Sequence, residues 1–362
     1  MAKIAIDARF YGRGHTGLGR YTTNVLNHLP KFLGDHTLQI LLRDAEYDNF
    51  KLDPNIQKIH AELPHYSVKE QLQLPFLLKS LKSDLLYTLH FVTPIFSSVP
   101  TIITVHDLIK THFSSSDTTT HNPLMFTIKR AGYNLAIKQS LSKARDIISP
   151  SNTVKNDILA AFPSVKPELI HAIAEAPDQI FRSKSKNLKD FKNLINLPQD
   201  YILFVGNAYP HKNLKVLLDA MSRIKDQKLV IVAKSTPFLI HSLAPYNREN
   251  ITLLSDLTDE ELVAVYSRAT ILVTPSYMEG YGLVGLESLM VGTQVIASNI
   301  PVYREVYGNR VKYFDPDSVS SLIEAIKESN KSKKRSPLNF PRSWDDVARS
   351  IAEVINARCT SL

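Results

Sequence analysis

The sequence predicts an α/β protein made of two parallel sheets, each wound with helices on both faces, and three observations predict it. Short apolar runs alternate with helical patterns, so that residues 3–8, 38–42, 85–89, 101–105 and 146–149 read as strands. A second series of the same kind opens at 201–206 and continues through 229–233, 251–254, 269–273, 294–297 and 311–314. The third observation is scale: 362 residues, 44% hydrophobic and 22% charged, form a globular chain long enough for two ordinary domains.

The two series meet near residues 175–180, which predicts domains at 1–177 and 178–344. The polar, basic stretch from Arg182 to Lys189 reads as a surface excursion close to that boundary, and 331–335 as a flexible basic loop. From Trp344 to Ile355 the apolar residues return at helical spacing and predict a last helix. There is no solenoid repeat and no low-complexity tract.

No apolar stretch reaches the roughly 20 residues that span a bilayer, and the first apolar run is broken at Asp7 without a signal-peptide pattern. The reading is a soluble, cytoplasmic protein. A single cysteine, Cys359, cannot form an internal disulfide or a cysteine-based metal site. A formal charge of +8 attracts polyanions, among them nucleotide phosphates, anionic lipid and nucleic acid. Nucleic acid ranks last, because the chain has no helix-turn-helix pattern, zinc spacing or RNP-like aromatic motif.

The stretch richest in chemistry is Glu279-Gly280-Tyr281-Gly282-Leu283-Val284-Gly285-Leu286-Glu287. A strand-like run at 270–275 precedes it, and Leu286, Leu289 and Met290 follow at helical spacing until Gly292. The order is strand, glycine loop, helix, which leaves backbone N–H groups bare at the positive end of a helix and favours a phosphate there. Eight helical positions are roughly 800°, about 80° from whole turns, so Glu287 leans toward the loop that carries Glu279. Two carboxylates beside a diphosphate would repel it, so they suit the neutral hydroxyls of a ribose and a hexose. The plainer alternative is that Glu279 caps the helix and Glu287 is solvated surface.

Four further segments carry candidate residues. Gly12 to Tyr21 is a glycine-rich turn opening a helix at 21–29, either an anion site or simply a tight turn. His106 ends a strand on its carboxyl side, where open α/β sheets bind ligands, either bonding a sugar hydroxyl or packed and held by Asp107. Lys212 lies in the loop Gly206-Asn207-Ala208-Tyr209-Pro210-His211-Lys212-Asn213 before a helix at 214–221, where its ammonium can offset a diphosphate or simply be exposed. In 253–262, Thr258 or Asp256 is placed to cap the next helix.

Two motifs receive weaker readings. Asp315-Pro316-Asp317 matches a cation-binding D-x-D pattern, but Pro316 makes a turn and Asp317 or Ser318 can cap a helix at 319–326, so no metal is assigned. Residues 67–82 mix leucines and Phe76 with lysines, and Lys129, Arg130, Lys138, Lys143 and Arg145 add charge. This face either rests on an anionic membrane or packs its leucines inward and leaves its lysines in water.

The Glu279 to Glu287 stretch resembles the E-x7-E motif of the family 4 retaining glycosyltransferases, and 291–299, 304–308 and 313–317 resemble the strand, turn and segment that follow it there. Nearly the whole chain aligns in kind. The resemblance implies the GT-B architecture: two Rossmann-like doubly wound domains facing across a cleft, an acceptor-binding domain at 1–177, a donor-binding domain at 178–344 and a C-terminal helix, 345–362, crossing back to the first. It implies transfer of a hexose, mannose from GDP-mannose, to a glycan or lipid-linked acceptor, without metal or cofactor. Lys212 and the amides of Gly280, Tyr281, Gly282 and Leu283 would hold the diphosphate, Glu279 the sugar hydroxyls and Glu287 the ribose. Gly17 and Gly19 match a G-x-G-R-Y segment whose backbone would approach the donor diphosphate or the acceptor, His106 matches an H-D-L segment, and the backbone at Ser255 and Leu257 would receive the base. Asn207 stands where many relatives carry arginine, a departure that puts more of the diphosphate charge on Lys212. A hydrolysing sugar-nucleotide epimerase and a silent nucleotide-sugar-binding scaffold are the rival readings.

Overall fold

A computed structural model describes residues 1–48, 50, 56–112, 123–183, 196–224, 227–329 and 336–361. The basic stretches at 184–189 and 331–335 lie outside the described residues, as do the side chains of Lys129 and Arg130. The described residues fall into two compact units, one drawn from 1–108, 121–175 and 344–362, the other from 109–120 and 176–343.

The first unit is a seven-stranded parallel sheet: β1 (Lys3–Asp7), β2 (Thr37–Leu42), β3 (Ile56–His60), β4 (Leu85–Thr88), β5 (Thr101–Thr104), β6 (Asp146–Ser149) and β7 (Ile170–Ala172). Their order is β3-β2-β1-β4-β5-β6-β7. The sequence did not predict β3 or β7. Both are edge strands, and an edge strand need not present the continuous apolar run of a strand buried on both faces. β3 buries only Ile56, and β7 is three residues long. β4, β5 and β6, by contrast, are buried at every position.

The helix Trp344–Cys359 completes this first unit. It buries Trp344, Val347, Ile351 and Ile355. Asp345 accepts hydrogen bonds from His28 at 2.7 Å and Lys31 at 3.0 Å, and Arg358 donates to Asp146 at 2.8 Å.

The second unit has six parallel strands: β8 (Tyr201–Val205), β9 (Lys228–Val232), β10 (Ile251–Leu254), β11 (Ile271–Thr274), β12 (Gln294–Ser298) and β13 (Lys312–Phe314). Their order is β10-β9-β8-β11-β12-β13. Ile202, Phe204, Ile231 and Val273 meet Leu217 of the helix Leu214–Arg223 and Leu322 of the helix Val319–Ser329 in its core. In each sheet the strand order reverses beside the first strand, between β1 and β4 and between β8 and β11. Loops leaving the carboxyl ends of such a pair diverge and open a crevice, where doubly wound sheets take their ligands.

The glycine run after β1 is not the loop the sequence predicted. A 3-10 turn at Arg13–His15 leads into a helix that spans Thr16–His28, so Gly17 and Gly19 lie in its first turn. Of the run only Gly12, at φ 97°, needs a glycine backbone. A side chain at Gly19 would run into the Gly12 carbonyl, so Gly19 serves packing within the unit. Glycine is a poor helix former, by roughly 1 kcal/mol against alanine, and this hid the helix start from the sequence reading. Among the described residues no helix is long and apolar enough to cross a membrane.

Candidate functional site

The second unit's crevice is built from the loops that follow β8 and β11. After β8, Gly206 (φ 141°) turns the chain into a 3-10 turn, Pro210–Lys212. Asn213 then adopts the left-handed conformation (φ 51°) that asparagine tolerates better than most residues. Its side-chain amide donates to the Pro316 carbonyl at 2.9 Å, which anchors the start of the next helix. After β11, the Tyr277 amide donates to the His211 carbonyl at 2.7 Å and ties the two loops together.

That tie brings Lys212 Nζ to 2.6 Å from Glu279 Oε1. The same oxygen accepts from Ser276 Oγ at 2.7 Å and from the Tyr303 hydroxyl at 3.1 Å, whereas among the described residues none donates to Oε2. The side chains of Lys212 and Glu279 are 21% and 14% exposed. Burial alone would raise the Glu279 pKa; the Lys212 charge and the hydrogen bonds from Lys212 and Ser276 outweigh it and hold the carboxyl below its ordinary value. Glu279 is therefore an ionised acceptor whose Oε1 is fixed by three donors.

Beyond it, Gly282 at φ 96° starts the helix Leu283–Met290, and no side chain caps that end. Tyr303 and Tyr307, on the helix Pro301–Tyr307, stack with ring centroids 4.9 Å apart beneath the loop. Tyr307 donates to the Gly282 carbonyl at 2.6 Å, and a side chain at Gly282 or Gly285 would collide with these rings. The glycines thus admit the tyrosines that hold the loop and Glu279. Sequence reasoning missed Ser276, Tyr303 and Tyr307. The signal for the tyrosines was present as two aromatics four residues apart behind Pro301.

Glu287 is neither solvated nor turned to solvent: it is 3% exposed and accepts a hydrogen bond from Tyr266 at 2.9 Å. Tyr266 belongs to the helix Asp259–Arg268, which Thr258 opens through a reciprocal capping box with Glu261. Asp256 does not cap it and sits at φ 54° instead. Ser255 is exposed and Leu257 half-buried in the loop after β10, while Asn207 follows Gly206 directly. Asp315 Oδ1 accepts the Asp317 amide at 3.0 Å, and Ser318 caps the following helix by accepting the Ser321 amide at 3.2 Å.

Gly17, Gly19 and His106 belong to the first unit. His106 Nε2 lies 3.0 Å from the Leu89 carbonyl, and Nδ1 lies 3.5 Å from Glu175. Burial would lower the His106 pKa, but the Glu175 carboxylate and the Leu89 carbonyl raise it above the ordinary value. Both ring nitrogens thus face acceptors inside the unit. In this arrangement the ring is packed, with Glu175 as its ion-pair partner and the Asp107 charge adding to the rise.

A lysine, an ionised glutamate and a helix start with no side-chain cap, gathered at the switch point, form an arrangement able to hold a phosphorylated, hydroxyl-bearing ligand. Residues 185–356 match the family described as glycosyl transferases group 1. Over that stretch the chain is similar to the group 1 glycosyl transferases, and its two parallel sheets with their helices are those of the GT-B fold. It is 28% identical over 264 residues to the O-antigen chain mannosyltransferase RfbU of Salmonella typhimurium, covering 71% of this chain and 67% of that one. It is 24% identical over 212 residues to the serotype-specific mannosyltransferase WbdA of Escherichia coli, covering 56% of this chain and 25% of that much longer one. Among solved structures, WaaG, a glycosyltransferase involved in lipopolysaccharide biosynthesis, matches with a TM-score of 0.70 at 16% identity over 97% of this chain and 95% of that one.

Proposed function

We propose that this enzyme transfers a hexose, mannose from GDP-mannose, to a glycan or lipid-linked acceptor in the assembly of a cell-surface polysaccharide, with retention at the anomeric carbon and without a metal. The observation that carries the reading is the Lys212–Glu279 pair at the β8/β11 switch point, beside the uncapped helix start. The similarity to two O-antigen mannosyltransferases supports the choice of mannose. We place the reaction in the cytoplasm, at the inner face of the membrane when the acceptor is carried on lipid.

In this mechanism negative charge grows on the diphosphate as the bond from its oxygen to C1 of the sugar breaks. Lys212, the Gly280 to Leu283 amides and the helix dipole stabilise that charge in a preorganised, partly dry site. Glu279, with Oε1 fixed by three donors, offers Oε2 to the sugar hydroxyls and so orients C1. The acceptor hydroxyl attacks from the face the diphosphate is leaving, and its proton passes to the departing phosphate oxygen. Glu287, anchored by Tyr266, accepts from the ribose, Asn207 lies against the diphosphate, and the backbone at Ser255 and Leu257 receives the base.

Thermal stabilisation by GDP, UDP, dTDP and ADP and their sugars tests the donor. A ligand at a hundredfold excess over its Kd stabilises the folded form by about 2.7 kcal/mol. We expect the largest shift with GDP-mannose, smaller in Glu287→Ala and unchanged by chelator, and an NMR spectrum of the product showing retained configuration. No shift with any nucleotide would discard the site, and donor consumption without acceptor would support the epimerase.

A further inference from the structure

The helix Val68–Leu81 divides its apolar residues between two faces. Leu74 and Leu78 are buried in the first unit's core against Ala5 and Leu41. Val68, Leu72 and Phe76 are 75%, 51% and 74% exposed, and their four-residue spacing puts them on one stripe. Phe96, 72% exposed, stands on the neighbouring loop. That loop is clamped, since Gln71 donates to the Thr93 carbonyl at 3.3 Å, accepts the Ile95 amide at 2.7 Å, and Lys143 donates to the Ile95 carbonyl. Phe96 is thus held outward by the structure.

Between helix and loop runs a groove of about 650 Å³, lined by Leu72, Pro75, Phe76, Phe96 and Val99, with Lys79 and Lys82 along it. Lys69 is exposed on the same helix. The helix's one acidic residue, Glu70, is 1% exposed and paired with Arg9, so the helix itself shows solvent only positive charge, and the exposed Glu62 lies at its Lys69 end, away from Lys79 and Lys82 in the groove. A protein core or a neutral partner would not call for this charge. Apolar side chains that enter an acyl boundary, ringed by lysines at headgroup level, match an anionic bilayer in both respects.

We propose that this face, the Val68–Leu72–Phe76 stripe with Phe96 and its lysines, docks the enzyme on an anionic lipid bilayer. The inference rests on the placement at a membrane given above and names the surface that meets it. Flotation with vesicles of phosphatidylcholine, with and without phosphatidylglycerol, tests it. The wild type binds the phosphatidylglycerol vesicles, releases as salt is raised, and ignores the neutral ones. Lys79→Glu with Lys82→Glu, and separately Phe76→Ser with Phe96→Ser, each weaken binding about tenfold or more, each lysine being worth roughly fivefold near such a surface. Both variants keep the wild-type melting temperature and nucleotide-induced stabilisation, so a failure here is distinct from a failure of the donor site. Absent binding, equal binding to neutral vesicles, variants that bind like wild type, or self-association abolished by Phe76→Ser would each overturn the proposal.

Discussion

Lys212 and Glu279 stand 67 residues apart in the chain, and the ion pair between them is the core of the site. Each was legible as a residue type: an ammonium before a helix, a carboxylate before a glycine loop. Their pairing was not legible, because it depends on β8 and β11 being neighbours and on the amide of Tyr277 reaching the His211 carbonyl. Lys212→Ala should lower turnover by about 10² to 10³ while the protein stays folded, the usual loss when one preorganised charge-stabilising group is removed. Turnover measured beside a melting curve checks this, and unchanged turnover would remove Lys212 from the mechanism. The substitution also removes the ammonium that holds the Glu279 carboxyl down against burial, so its pKa should move back up toward the ordinary carboxylate value.

At the scale of elements, the helix Pro301–Tyr307 acts as a buttress under the helix Leu283–Met290. Gly285→Ala forces a methyl group into the Tyr307 ring and should cost about 1 to 3 kcal/mol of stability by overpacking. Paired with Tyr307→Ala it should cost less than the two single losses added, a coupling that chemical denaturation of the four variants reads directly. Additive losses would mean that the contact carries no strain. A second latch joins strand ends in the first unit, since His106 follows β5, Leu89 follows β4 and Glu175 lies beyond β7. The folded His106 pKa is raised above its unfolded value of 6.5, so the stability it adds is complete below about 6.5 and is lost as pH rises through the higher folded value. Melting temperature should therefore fall as pH increases above that point, and Glu175→Gln should flatten the profile. The sequence named His106 from its place at a strand end; the partner that decides its state lies 69 residues on, where no local pattern points back to it.

For the whole molecule, the alternation of strand and helix was legible because a parallel strand buried on both faces must be apolar throughout, as β4, β5, β11 and β12 nearly are. The same rule hid β3 and β7 at the sheet's edges. Turn chemistry was legible at Thr258 and Ser318, and misleading at Gly17 and Gly19, which lie in the first turn of a helix, Gly19 packed against Gly12. By itself the sequence determined two α/β sheets, a strand–glycine loop–helix at Glu279 and the residue types able to hold a phosphorylated sugar, since periodicity and turn preference act over a few residues. Only the tertiary structure decided which strands stand side by side, and hence that Lys212 meets Glu279, that two tyrosines hold the glycine loop, that the His106 ring is occupied and that the Phe76 stripe stays in solvent. Those outcomes follow from contacts between distant segments, whose free energy is settled by the packing of each sheet as a whole.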